Sequence, residues 1–296
     1  MMKMVFAFGI FFSLVIIPDR CLSQDYSKNE ILIGLIPEEN IFRQMDRYKP
    51  LGEYLTKKLK IKTRFTILSR YGDIIDRFMA RNLDGAFFGA LTAVLAIEKL
   101  GVEPIVRIQN IDGTSTAESY IIVRKESGIR DVKGMKGKTI AFVDRATATG
   151  FVFAIAYLKE HGIANPLNYF KEYYFTGSHD SALLSVLDGR ADIGVAKSTI
   201  VKERIRRDPF IENEISIIAR SVPLPDVTLC LSKRLDRRLK EEIKEILLTM
   251  DKEPEGITVL QKLGASKFIS ASKEDFVPVY NLLKKADINI RSYSYR

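Results

Sequence analysis

Two stretches of this sequence place hydroxyl groups at the start of a helix, where an anion can be held. In "AFVDRATATGFVFAIAYL" (Ala141–Leu158) an apolar strand runs into Asp144, then Thr147-Ala148-Thr149-Gly150, then an apolar-periodic helix. Thr147 and Thr149 stand where N-caps stand. Free backbone N–H groups, hydroxyl donors and the positive end of the helix dipole together suit a small oxyanion. Gly150 would let backbone come close. Taken alone, the motif is more simply a Thr N-cap. In "YFTGSHDSALLSVLDGRADIGVAKS" (Tyr174–Ser198) a strand ends at Phe175 and Gly177-Ser178-His179 leads into a helix. Ser178 is a candidate N-cap, and His179 in the first turn could donate to an anion at the same helix end. A lone histidine there is more often an exposed or capping one. Two hydroxyl-bearing helix starts in one lobe tilt the reading toward a site.

Other chemistries find less support. "KGMKGKT" (Lys133–Thr139) would need Gly at position 132 to be a phosphate loop, and Val stands there; it also precedes a strand rather than following one. With two His and two Cys, a disulfide scaffold is excluded and a multi-histidine metal site is disfavoured. His161 sits at a helix C-terminus before Gly162, where positive charge suits the dipole. Cys230 lies in an apolar strand and reads as a small core residue. No Ser-His-Asp order stands out, and no cofactor is implied.

The elements that must position these residues alternate between strand and helix. Expected strands are Glu30–Ile36, Thr63–Leu68, Ala86–Phe88, Pro104–Ile108, Tyr120–Val123, Thr139–Val143, Glu172–Phe175, Ile193–Val195, Ile215–Ala219 and Val227–Leu231. Expected helices run from Pro50, over Tyr71–Ala80 and Thr92–Leu100, then over Gly150–His161, Ser181–Leu187 and Thr199–Arg206. Asp236–Met250, Gly256–Leu263 and Lys273–Ala286 form a helical end. The alternation predicts an α/β chain of two lobes, with parallel sheet and helices on its faces. The chain would cross between lobes near Ile108–Tyr120 and Ala219–Val227, and the last helices would pack back on the first lobe.

Composition fits this size and class. The 296 residues are 46% hydrophobic and 28% charged, which excludes wholesale disorder. Lys3 and the apolar run Met4–Ile17, shorter than the roughly 20 residues of a membrane span, predict a secretory signal over residues 1–23 and a periplasmic protein. A lipid anchor at Cys21 is disfavoured by Pro18-Asp19-Arg20 before it. The formal charge of +9 is spread over mixed runs such as Lys233–Lys244, which argues against nucleic acid.

These segments resemble the periplasmic phosphate/phosphite/phosphonate-binding family of ABC importers over most of Ile31–Ala286. The likeness is carried by "PLGEYLTKKL" (Pro50–Leu59), "SRYGDIIDRFMARNLDGAFFGALTAVLA" (Ser69–Ala96), "DVKGMKGKTIAFVDRATATG" (Asp131–Gly150) and "FTGSHDSALLSVLDGRADIGVAKS" (Phe175–Ser198). The resemblance implies a type 2 periplasmic binding protein: two Rossmann-like α/β lobes joined by two hinge crossings. Lobe 1 would be residues 28–115 and 226–296, and lobe 2 residues 116–225. It implies a monomer that binds a small phosphorus oxyanion, does no catalysis, and delivers its ligand to an inner-membrane permease. The family's oxyanion loop falls on Thr147, Ala148, Thr149 and Gly150, its histidine on His179 and its early tyrosine on Tyr71. Ala148 lacks the family's middle hydroxyl. A second family tyrosine falls on Ala117, one amine-reading acidic residue falls near Thr199, and the other within a residue of Asp226. The phosphonyl half is therefore expected to be kept and the amine half lost, so the ligand would be phosphate, phosphite or a small alkyl phosphonate. A sensory module, an enzyme with His179 as acid/base, and a binder of sulfate or a carboxylate are the rival readings.

Overall fold

The computed structural model describes residues 28–295 apart from Ser69, Gly72 and Asp73. The expected signal segment and Cys21 lie outside the described residues. Among the described residues, no helix is long and apolar enough to cross a membrane.

The chain opens with β1 (Glu30–Leu35), α1 (Ile41–Leu59), β2 (Lys62–Ile67), α2 (Ile74–Ala80), β3 (Gly85–Phe88), α3 (Ala90–Leu100) and β4 (Glu103–Asn110). It crosses through β5 (Thr116–Ala117) to β6 (Ser119–Arg124), α4 (Val132–Met135) and β7 (Thr139–Phe142). A π-helical turn, Ala148–Val152, then runs straight into α5 (Phe153–Glu160). Next come β8 (Glu172–Phe175), α6 (His179–Leu187), β9 (Ile193–Lys197), α7 (Ser198–Arg207), α8 (Phe210–Glu214) and β10 (Ile215–Arg220). The chain returns through β11 (Leu224–Pro225) to β12 (Thr228–Leu231), α9 (Arg237–Thr249), α10 (Pro254–Leu263), β13 (Ala265–Ser270) and α11 (Val277–Lys285).

The first lobe holds a six-stranded sheet in the order β13-β4-β12-β3-β1-β2, the second a five-stranded sheet in the order β10-β6-β9-β7-β8. Both are mixed, which corrects the expectation of parallel sheet. β1 runs parallel to β2 and β3, and β7 parallel to β8 and β9. β12 and β6, each entering just after a crossing, are antiparallel to both neighbours. The crossing strands β5 and β11 pair with one another, Leu224 opposite Ala117 and Pro225 opposite Thr116. Central strands are covered on both faces and so lose the polar-apolar alternation. β12 is buried throughout, with Cys230 a free core thiol.

α1 starts well before Pro50. Asn40 caps it by accepting from the Phe42 and Arg43 amides, and Pro50 lies inside the helix. Proline in a helix interior costs about 3 kcal/mol. Burial of Tyr48, Leu51, Tyr54, Leu55 and Leu59 on one face, at roughly 1.5–3 kcal/mol each, outweighs it. β13, a short "ASKFIS" edge strand, was not expected; three of its residues are exposed.

The helical end is shared between lobes. α9 and α10 lie against the first sheet and α1. α11, expected on the first lobe with them, packs on α5 of the second lobe and joins the same apolar cluster as Phe153 and Ile155. Lys285 pairs with Glu160 at 2.8 Å, while the Tyr280 hydroxyl donates to Glu98 of α3 at 2.7 Å. Beyond it, the Tyr293 hydroxyl donates to the Arg145 carbonyl at 2.7 Å. α11 therefore straddles both lobes, because its apolar face (Val279, Leu282, Leu283) matches α5.

Candidate functional site

A small cavity lies between the lobes, and both lobes supply its walls. The second lobe supplies the loop after β7. Asp144 turns this loop: its carboxylate accepts from the Ala146 amide at 2.8 Å, and its carbonyl accepts from the Thr147 amide and hydroxyl at 3.1 and 2.6 Å. The first ring of the π turn closes from the Val152 amide to the Thr147 carbonyl at 3.1 Å. The N–H groups of residues 148–151 consequently have no acceptor within the helix. Ala148 and Thr149 line the cavity, and the Thr149 carbonyl is tied to the Ser119 hydroxyl of β6 at 2.6 Å.

Facing them across the cavity is the start of α3 from the first lobe. Gly89 has no side chain to cap the helix, and the first bond runs from the Ala93 amide to the Gly89 carbonyl at 2.9 Å. The amides of residues 90–92 are left for a guest, and all three residues line the cavity. The oxyanion-type geometry is therefore built from helix starts in opposite lobes. The sequence reading paired two starts in the second lobe instead. The pattern that could have located the α3 start is a buried strand followed at once by Gly89 and a helix that is apolar over Ala90–Ile97 except at Thr92.

The α6 start contributes its histidine and little else. Ser178 caps its own helix, accepting from the Ser181 amide at 3.1 Å and donating to the Ser181 hydroxyl at 2.9 Å, and it does not line the cavity. That corrects Ser178 as a ligand donor: capping uses its hydroxyl. His179 lines the cavity and is 2% exposed. Its Nδ1 accepts the Lys197 amide at 3.1 Å, which fixes the neutral tautomer with the proton on Nε2. Burial first, then the Lys197 charge, hold its pKa well below 6.5. At neutral pH it is an uncharged donor. Gly194 on β9 makes this packing possible, since a Cβ there would lie 2.7 Å from Val186 Cγ2 of α6.

Tyr71 comes from the first lobe, its ring edge-on to His179 with centroids 6.2 Å apart. It is 2% exposed, and its hydroxyl has no hydrogen-bond partner among the described residues although Tyr71 lines the cavity. Burial, with Glu38, Asp144 and Asp226 nearby, raises its pKa well above that of an ordinary phenol, so it stays a donor. Thr147 and Thr149 are both buried on the cavity wall. The Thr147 proton is committed to the Asp144 carbonyl, which leaves its oxygen to accept.

Gly150 does not line the cavity. A Cβ there would lie 2.5 Å from Val143 and 2.7 Å from the Thr147 hydroxyl, so the close approach expected at Gly150 is to its own strand and loop. Thr199 lies outside the cavity and lines a wider cleft beyond it; Ala117 is on the cavity wall. Asp226 is on the wall too, 5% exposed, but it is not alone. Lys197, at the end of β9, donates to Asp226 Oδ1 at 3.0 Å and to the Glu38 carboxylate. Burial would raise the Asp226 pKa; Lys197 and the amides of Val227 and Asn110 override it and hold it low. Burial wins at Glu38, whose pKa is raised. Gln44 holds the Glu38 loop, accepting from the Glu38 amide and donating to the Ile36 carbonyl. Glu38 and Lys197 were missed in the sequence. Lys197 ends β9 and Glu38 follows β1, at the C-terminal side of the strands, where open α/β sheets place ligand residues.

A family model described as ABC transporter, phosphonate, periplasmic substrate-binding protein matches residues 33–276. A phosphate-import protein of Mycolicibacterium smegmatis is 31% identical over 179 residues, which span 58% of this chain and 56% of that protein. A phosphonates-binding periplasmic protein of Escherichia coli is 24% identical over 282 residues, 93% of this chain and 82% of its own length. Among solved structures, a binding component of a Pseudomonas aeruginosa phosphonate transporter superposes with a TM-score of 0.80 at 20% identity, covering 88% of each chain. A Prochlorococcus marinus protein in complex with methylphosphonate gives 0.78 at 19% identity, over 88% of this chain and 98% of its own. The two-lobed fold is common to them. With the family match running from β1 to the residues just before α11, this chain belongs to the periplasmic substrate-binding proteins of phosphonate ABC transporters.

Proposed function

We propose that this protein captures a small tetrahedral phosphorus oxyanion without an ammonium group, such as phosphate, phosphite or a short alkyl phosphonate. It works in the periplasm as a monomer and passes its ligand to the permease of an ABC importer. One observation carries the reading: the buried Tyr71 hydroxyl, without a partner among the described residues, lines the same cavity as two uncapped helix starts. A buried unpaired donor costs about 1–3 kcal/mol, and an oxyanion removes that cost. The donors are Tyr71, Thr149, His179 Nε2 and the amides around residues 90–92 and 148–149. At roughly 1.5–3 kcal/mol per hydrogen bond to a charged group, four or five give about micromolar affinity after ordering costs. The cavity's one lysine is already held by two carboxylates, so helix dipoles and neutral donors balance the ligand charge.

Binding rather than turnover fits His179, whose Nδ1 is occupied and whose ring is kept neutral. In this reading residues 116–225 close as one body on residues 28–115 and 226–270, with β5 and β11 as the hinge. A thermal-shift screen followed by calorimetry tests it with phosphate, phosphite, methylphosphonate, 2-aminoethylphosphonate and sulfate. A hundredfold excess over Kd stabilises by about 2.7 kcal/mol. The expected result is that an amine-free phosphorus oxyanion binds tightest. Tighter binding of sulfate, or of none of the panel, would overturn it.

A further inference from the structure

Lys197 has a position that the oxyanion reading does not use. It ends β9, its side chain is 7% exposed, and its ammonium spans the lobes: Glu38 follows β1 of the first lobe, and Asp226 lies on the return crossing. Its own backbone amide is bonded to His179, and Lys197 lines the same cavity as the oxyanion donors. Glu38, Lys197 and Asp226 line both the inner cavity and the wider outer cleft. The three side chains are therefore the partition between the two spaces. A ligand tail growing from the oxyanion toward the outer cleft meets this partition first.

Two buried carboxylates around one ammonium form an ammonium site by their chemistry. Here the chain supplies the ammonium itself. A neutral tail longer than a methyl or so would meet the lysine stem. A cationic tail would meet a like charge in a setting where charges are poorly screened. We propose that Lys197 is the specificity-determining residue of this cavity: its ammonium fills a cation subsite formed by Glu38 and Asp226, and so excludes oxyanions that carry a cationic tail.

The proposal rests on the oxyanion reading for its ligand, but its central claim can be tested without one. Lys197→Ala should lose thermal stability, and millimolar ethylammonium should restore it, while equimolar ethanol does not. In calorimetry, the ratio of 2-aminoethylphosphonate affinity to ethylphosphonate affinity should rise at least tenfold from the parent protein to the variant. Should Lys197→Ala fail to fold, Lys197→Ala with Glu38→Gln keeps one carboxylate for one ammonium and should show the same gain. No ethylammonium effect together with an unchanged ratio would overturn the proposal. If the parent binds no phosphorus oxyanion at all, the functional reading falls, and the ethylammonium result still decides the cation subsite.

Discussion

Single residues here divide into those that hold the guest and those that hold the fold, and opposite signs tell them apart. Tyr71→Phe removes a buried hydroxyl that has no partner among the described residues. Ligand-free stability should stay level or rise, while affinity falls roughly ten- to hundredfold, the equivalent of one hydrogen bond to a charged group. Denaturation and calorimetry on the same sample check both signs. His179 carries a pH signature. Its folded pKa is depressed well below 6.5, so in the interval up to 6.5 the unfolded chain binds a proton that the folded chain does not. Its stabilising contribution is full above 6.5 and is lost as the pH falls below that value toward the depressed one. Urea unfolding at pH 7.5 and 5.5 should show a larger loss in the parent than in His179→Asn, which keeps an acceptor for the Lys197 amide. His179 was singled out by its motif and Tyr71 only by the family resemblance; both line the cavity. Glu38 and Lys197 were not, because nothing local marks two ionic residues more than a hundred positions apart as partners.

At the level of elements, the α6 start caps itself with a side chain, while the α3 start and the π turn do not. The Ser178 hydroxyl is spent on Ser181. Ser178→Ala should therefore cost about 1 kcal/mol of stability and leave Kd within about twofold. Thr149→Val should do the reverse, with affinity lost and stability nearly unchanged, as parallel melting and calorimetric curves would show. Sequence periodicity located most strands and helices within a few residues, because apolar faces repeat with the element's own period. It failed where tertiary packing overrode local preference. α1 runs through Pro50 because five buried side chains outweigh one missing hydrogen bond. The antiparallel course of β6 and β12 follows from the crossings, which no single strand encodes.

On the scale of the whole molecule, the lobes meet through the Lys197 pairs, the Tyr71–His179 ring contact, the β5–β11 pairing, α11 and an apolar cluster that runs from α3 to the π turn and α5. α11 touches α3 by Tyr280 and α5 by its apolar face. The Tyr293 hydroxyl ends on the Arg145 carbonyl, one residue from the cavity wall, and the Arg145 guanidinium lies over the Phe151 and Phe175 rings. Tyr293→Phe should therefore hasten ligand release about fivefold, the equivalent of roughly 1 kcal/mol for one lost hydrogen bond, measurable by stopped-flow dissociation. The same tether makes the tail a transmission line. A fluorophore attached near Tyr293 would brighten or dim with occupancy, so this molecule could be turned into an optical reporter without touching a single residue that meets the guest.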